Sequence, residues 1–513
     1  MQAVNARSRG TYPSLWVAAA LVWAAFAIWL TFVGYLESDD MFYAQGARGW
    51  LAHVPYLGAN HWGLRHAIVL PMAVGFGLFG ENEVTLLAPS LLYAAALLGL
   101  LASFAASLGG WPAMAIAIAV AGSVPVVGTG ASLVSTDLPE AFFIIGSVWA
   151  WFRGVGHSRP ALMFASGVAA GFAIITRETT AALLLFYLLA FAIGRGAYFR
   201  DYVIVAAGCL LVIGADTLYL YVMSGDPLYR VHTAMRGAQN DGPHMEAAGE
   251  AASGVDRFGA LAVPRILRPF GALFVNQNFG LLFWFAVPAT VWLALRGPPE
   301  TRRISAALIG FFVTWVLVLG YVLAPWLWVL PRYYVVCVVL VVPLSVVLAR
   351  MMMVRPILAA ALLCVLLGSN LALDLGATTG AIAGERALVA AVRSHDGVIH
   401  TDPSTARGAA WLLDREQLQS RISTDLPRAG DLYFHNSRPR RPIPADWPLT
   451  VTPPGWRSLE QTTGAPRWTA VLLRFGGIEQ FLPQGLRAKL DPPPIVTTLY
   501  QVPADPAADP AAR

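Results

Sequence analysis

Long apolar runs separated by short charged connections occupy the chain from about residue 15 to residue 375. The first, Leu15 to Val33, has the roughly 20 residues a helix needs to cross a bilayer. Further apolar segments follow at about 66–80, 84–108, 111–130, 137–153, 160–175, 179–194, 202–223, 273–295, 304–323, 330–349 and 356–375. With some allowance for tilt, each predicts a membrane helix. Short basic loops at Arg153–Arg159, Arg195–Arg200, Arg296–Arg303 and Arg350–Arg355 belong on the cytoplasmic side. Thr176–Thr180, Ser224–Pro269, Ala324–Arg332 and everything after Leu375 then face outward. Twelve segments would return the C-terminus to the cytoplasm, against the loop charges. The stretch GSVPVVGTG, with Pro125 and three glycines, interrupts the apolar pattern, and helix breaks inside a membrane need protein or water to satisfy the freed backbone. An odd total of 11 or 13 membrane helices is therefore expected.

After Leu375 the pattern changes to short apolar runs (GVIHT, DLYFH, WTAVLLRF, PIVTTLYQV) between turn residues. Residues 376–500 are predicted to form a small extracytoplasmic α/β domain, and 501–513 a disordered tail. Within the long outward loop, AQNDGPHMEAAGEAASGVDR is small, polar and Gly-rich, as in a mobile lid.

Composition agrees with a polytopic membrane protein. Of 513 residues, 57% are hydrophobic and 13% charged, and the mean hydropathy is +0.59. The net charge of +5 is spread over short clusters, which suits topology signals better than nucleic-acid binding. Cys209, Cys337 and Cys364 fall in apolar segments without metal or disulfide spacing. The basic start and first apolar run could pass for a signal peptide, but no small-x-small cleavage site follows, so a retained first helix is expected.

The candidate chemistry lies at span ends on the outward side. ESDDMFY places Glu37, Asp39 and Asp40 at the exit of the first helix. Carboxylates at that depth are costly; they suit a general base or a divalent-metal ligand, or simply a solvated acidic helix end. The following MFYAQGARGWLAH has the spacing of a short interfacial helix. HWGLRHAIVLP brings His61, Arg65 and His66; the arginine suits a phosphate or a snorkelling flank, and the histidines metal ligation. STDLPEAFF puts Asp137 and Glu140 on one helical face, and a helix N-terminus by itself also favours acids there. ITRETT carries Arg177 and Glu178, a self-neutralising pair or an anchor for an anionic head group. GDPLYRVHTAMR adds Tyr229, Arg230 and His232. In PWLWVLPRYY, Trp326, Trp328, Tyr333 and Tyr334 suit an interfacial aromatic belt, and Arg332 is another outward cation. There is no Walker A loop or dinucleotide glycine fingerprint, so a lipid phosphate is a better donor candidate than a nucleotide.

The order of these motifs, together with the LFGENEV turn, TDLPEAFF, TRET and PRYY, resembles the integral-membrane glycosyltransferases of the GT-C fold. The nearest group is the bacterial protein O-mannosyltransferase and aminoarabinose transferase superfamily, over roughly residues 10–375. The resemblance implies transfer of a sugar from a polyprenyl-phosphate carrier to a glycan, lipid or protein acceptor outside the bacterial cytoplasmic membrane. It also implies no nucleotide cofactor and no nucleic-acid partner. In that family the acids of the first outward loop are usually Asp-Glu, the first being the proposed base. Asp39 matches it, Asp40 stands where Glu is usual, and Asp137 matches the second family acid. Arg65, Arg177, Arg332 and His232 become the candidates for the lipid phosphate. Arg65 is the nearest cation to a Lys-Pro-Pro motif that this chain lacks. Some relatives use a divalent metal and others do not; Asp40 and His61 are its candidate ligands.

The resulting expectation is an inverting transfer in which Asp39 takes the acceptor proton. Two alternatives stay open. One is a lipid-linked oligosaccharide polymerase or ligase built around Arg230 and His232. The other is a transporter or flippase, which would place its charges nearer mid-membrane.

Overall fold

The computed structural model describes residues 13–157, 159–193, 198–240, 255–258, 261–324, 329–375, 382–439, 442–451, 453–464 and 493–503, with isolated positions between 465 and 492. The lid segment predicted in the long outward loop lies mostly outside these residues, as do Trp326, Trp328 and residues 504–513 of the predicted tail. The chain divides into two compact units. One comprises Met1–Phe32, Gly46–Val74 and Leu87–Ala377, and the other Val33–Gln45, Gly75–Leu86 and Thr378–Arg513.

The first unit is helical. The N-terminal helices are α1 (Pro13–Leu30), α2 (Asp39–Ala52), α3 (His66–Phe79) and α4 (Glu83–Gly122), where α2–α4 each begin or end outside this unit. Next come α5 (Pro125–Ala131), α6 (Asp137–His157), α7 (Pro160–Thr176), α8 (Ala182–Ala192), α9 (Phe199–Ser224) and α10 (Tyr229–Asn240). Among the described residues six helices are long and apolar enough to cross a membrane, and four shorter apolar helices accompany them. The apolar segment expected at 84–108 and the first part of that at 111–130 form one 40-residue helix, α4, with a break at Gly110 (φ 71°, ψ −167°) just before Pro112, and the remainder falls in α5. A straight helix of that length would be about 60 Å long, twice a bilayer core. Glycine supplies the left-handed φ that the break needs.

The GSVPVVGTG interruption is buried in protein. Pro125 opens α5, whose residues are almost all buried, and Val126 N–H donates to the Asn278 carbonyl at 2.9 Å. At Gly128 a Cβ would sit 2.3 Å from Thr31 Oγ1, so the end of α1 approaches a glycine backbone. Freed backbone groups thus find protein partners, as non-helical backbone among membrane helices requires.

Helices α6, α7 and α9 form the centre of this unit. A Cβ on Gly167 would lie 1.9 Å from the Val205 carbonyl oxygen, and one on Gly208 would lie 2.4 Å from that of Phe164. Small residues therefore let α7 and α9 touch backbone to backbone. Beside them Ser147, Ser166 and Tyr187 share buried hydrogen bonds of 2.6 to 3.3 Å. Such polar contacts replace the hydrophobic drive that lipid does not supply.

The second unit carries a five-stranded sheet. Its strands are Ile399–Thr401, Ile422–Ser423, Leu432–Asn436, Arg457–Thr463 and Val496–Gln501. The first three pair in parallel around Ile399–Thr401, and the last two join antiparallel beyond Leu432–Asn436. Helices Ala383–Ser394 and Pro403–Arg415 accompany the sheet. The second starts on an Asp402 cap that accepts from Thr405 N–H at 2.8 Å, with Pro403 at its first position. This is the small C-terminal α/β domain.

The α7–α9 contact gives a direct test. Gly167→Leu should force the helices apart and cost about 1–3 kcal/mol, the usual range for overpacking. A lowered thermal unfolding midpoint in detergent is the expected result, and an unchanged midpoint would contradict the close approach.

Candidate active site

The acidic motif after α1 sits in the second unit, and its three carboxylates have different surroundings. Asp40 is buried and accepts N–H bonds from Leu36 and Ser38 at 2.6 Å each and from Met41 at 3.1 Å. Burial pushes its carboxyl upward in pKa, and the three N–H donors pull against that. Its oxygens are occupied in shaping the loop. Glu37 is buried with φ 55°, a left-handed conformation uncommon for a side-chain-bearing residue, and pairs with Arg407 at 3.2 Å. Asp39, the first residue of α2, is half-buried and makes no hydrogen bond or ion pair among the described residues.

The second candidate acid lies in the first unit. Asp137 and Glu140 open α6, and both are buried. Arg177, in the turn after α7, reaches Asp137 Oδ1 at 2.6 Å and Glu140 Oε2 at 2.5 Å, and also donates to Thr136 Oγ1. Thr180 Oγ1 donates to the other Glu140 oxygen at 2.7 Å. Arg332 Nε stands 3.4 Å from Asp137 Oδ2, with its side chain 34% exposed. The Tyr333 ring lies 4.2 Å from the Arg177 guanidinium carbon. Arg177 is thus neutralised by two carboxylates and covered by a ring. The expectation that it holds a lipid phosphate meets a guanidinium already engaged by Asp137 and Glu140.

Charges continue outward from this pair. Arg65 bears electrostatically on both Glu140 and His61. His61 packs on Trp62 at 3.7 Å, and burial, then Arg65, push its imidazole down to about 4. Arg230 grips Asp216 with two bonds of 2.9 Å, donates to the Ile175 and Leu64 carbonyls, and stands 3.6 Å from Glu178. His66 Nδ1 lies 3.4 Å from the same Asp216. Four arginines (65, 177, 230, 332) and four carboxylates (137, 140, 178, 216) therefore occupy this part of the unit. His232 is apart from them, more than half exposed and 2.7 Å from Asp226.

Sequence reasoning missed Asp216 altogether. A single carboxylate inside an otherwise apolar span was the available signal, because such a group is expensive unless paired. The metal expectation finds little support in the donor set. Asp40 is taken up by N–H donors, and among the described residues no group of three His, Cys, Asp or Glu is placed to hold an ion.

Comparison with known proteins follows this geometry. Residues 67–218, which carry Asp137, Glu140, Arg177 and Asp216, match the family described as dolichyl-phosphate-mannose-protein mannosyltransferase. ArnT from Cupriavidus metallidurans in the apo state has the same fold, at a TM-score of 0.51 and 15% identity, over 82% of this chain and 92% of that one. The chain has an ArnT-like GT-C fold. The apo oligosaccharyltransferase from Archaeoglobus fulgidus is similar to it in fold, at a TM-score of 0.50 and 12% identity, over 81% of this chain and 64% of that one. Among curated proteins none matches.

Two measurements probe the buried charges. Arg177→Ala would leave two carboxylates buried without their guanidinium, and should cost about 3–5 kcal/mol. Arg332→Ala, at a part-exposed site, should lower the unfolding midpoint far less. The His61 imidazole gives a pH test. With a folded pKa of about 4, below the ordinary 6.5, the unfolded chain binds the proton first. Stability should therefore fall as pH drops from about 6.5 to about 4, by up to about 3 kcal/mol, and level off below. His61→Gln should remove that part of the pH dependence in an unfolding series.

Proposed function

We propose that the protein transfers a single sugar from a polyprenyl-phosphate donor to a hydroxyl-bearing acceptor at the outer face of the bacterial cytoplasmic membrane, with Asp39 as general base. One observation carries this reading: among the described residues Asp39 is the carboxylate of the acidic motif left without a hydrogen bond or ion pair, beside an Asp40 whose oxygens are engaged. A base needs a free lone pair for the incoming proton. The lipid-phosphate donor is supported by the family description for residues 67–218, which names a dolichyl-phosphate sugar.

In this reading the acceptor O–H gives its proton to an Asp39 carboxylate oxygen as the acceptor oxygen attacks the anomeric carbon. The bond from that carbon to the phosphate oxygen breaks on the opposite face, and its electron pair leaves with the polyprenyl phosphate. Configuration inverts in this single displacement. The departing phosphate gains charge, which cations stabilise where water is excluded. Arg65 and Arg332 are the arginines proposed for that role, while Arg177 holds Asp137 and Glu140 in place.

The polymerase alternative would use Arg230 and His232, and their partners favour the single-sugar reading over it. Arg230 binds Asp216 with two hydrogen bonds, and the exposed His232 pairs with Asp226.

The test is turnover of a synthetic polyprenyl-phosphate mannose and related sugars by Asp39→Asn protein with an unchanged unfolding midpoint. Loss of a general base should lower kcat by about 10²–10⁴-fold. Near-parental turnover would remove Asp39 from the role.

A further inference from the structure

The C-terminal domain has a specific relation to the acidic loop, because both belong to the same compact unit together with the turn Gly75–Leu86. Three side chains of the domain join them. Arg386, on the helix Ala383–Ser394, binds both oxygens of Glu83 at 2.5 and 3.0 Å, and Glu83 Oε1 accepts the Tyr35 N–H at 3.0 Å. Trp411, on the helix Pro403–Arg415, donates its indole N–H to Glu81 at 2.8 Å and packs on the buried Tyr35 ring at a centroid distance of 4.8 Å. Arg407, one turn earlier on the same helix, pairs with Glu37 at 3.2 Å.

These contacts fall on the residues immediately before Asp39. Glu37 is in the left-handed region, a conformation that persists only when its surroundings hold it. Its carboxylate is buried, so without Arg407 it would lose a cation at the place where the chain turns into α2. Asp40 then ties Leu36 and Ser38 to the start of the helix from the other side. Asp39 lies between the two supports with no hydrogen bond or ion pair of its own among the described residues. Residues on the C-terminal domain and on the LFGENEV turn thus define the backbone from which its carboxylate projects.

We propose that the C-terminal domain holds the acidic loop in its working conformation, with Arg386, Arg407 and Trp411 as positioning residues for Asp39. Its function in transfer is then to support the base rather than only to follow the last membrane helix. This inference rests on the Asp39 reading for its catalytic part and on geometry alone for its structural part.

Hydrogen–deuterium exchange of the full-length protein, read by mass spectrometry over residues 33–41, separates the two. Arg407→Ala and Arg386→Ala should speed exchange in that segment by about tenfold and leave α6 and α7 unchanged. With synthetic polyprenyl-phosphate mannose, kcat should fall by about tenfold at an unchanged KM, because a displaced base affects the chemical step alone. Arg407→Lys, which keeps the charge opposite Glu37, should restore most of both. Parental exchange over 33–41 in both alanine variants would overturn the proposal. So would faster exchange with unchanged kcat while Asp39→Asn is inactive. If Asp39→Asn turns over normally while the alanine variants exchange faster, the support stands and the base assignment falls.

Discussion

Arg177 is the interaction on which the helical unit depends. Two carboxylates at the start of α6 are buried, and neither is tolerable there without a counter-charge. One guanidinium meets both, because its planar fork offers donors in two directions at once. The contact spans 37 to 41 residues of sequence and fixes the turn after α7 against the beginning of α6. Asp137 is thereby presented to Arg332 and Arg177 to the face of Tyr333. The TRET turn carries charge for this reason.

A distinction between occupied and unoccupied carboxylates runs through both units. Asp40, Glu37, Glu83, Asp137, Glu140 and Asp216 each have hydrogen-bond donors or cations against them. Those partners tie them into the framework, because a polar group away from water costs least when its oxygens are satisfied. Among the described residues Asp39 has neither, and it is half-buried. The same sorting applies to the cations. Arg177 and Arg230 are bound by buried carboxylates, and Arg332, at a part-exposed site, stands against Asp137.

Much of the framework was legible in the residues. Apolar runs near 20 residues long, the break at Pro125 and the change of pattern after Leu375 each have a local physical cause. The long helix Glu83–Gly122 was less legible. Gly109, Gly110 and Pro112 look like a helix end, and helical hydrogen bonding continues on both sides of a single left-handed glycine. The intimate α7–α9 contact was visible only as scattered glycines, whose partners lie some forty residues away. Asp216 was hidden by the hydrophobicity of its neighbours, although its cost in that setting was itself a signal.

The sequence by itself determined a polytopic membrane protein, a small α/β domain after it, and a short set of acids and arginines at span ends. These follow from hydrophobic length, loop charge and the scarcity of ionisable groups in an apolar chain. Only the tertiary structure decided which of those groups are engaged. Asp39 and Asp40 are adjacent in sequence and identical in chemistry, yet one is bound by three backbone donors and the other by none. Arg177 and Arg332 likewise differ in what stands against them. The role of a charged side chain is set by burial and by the counter-charges within a few ångströms, and distant parts of the chain supply both.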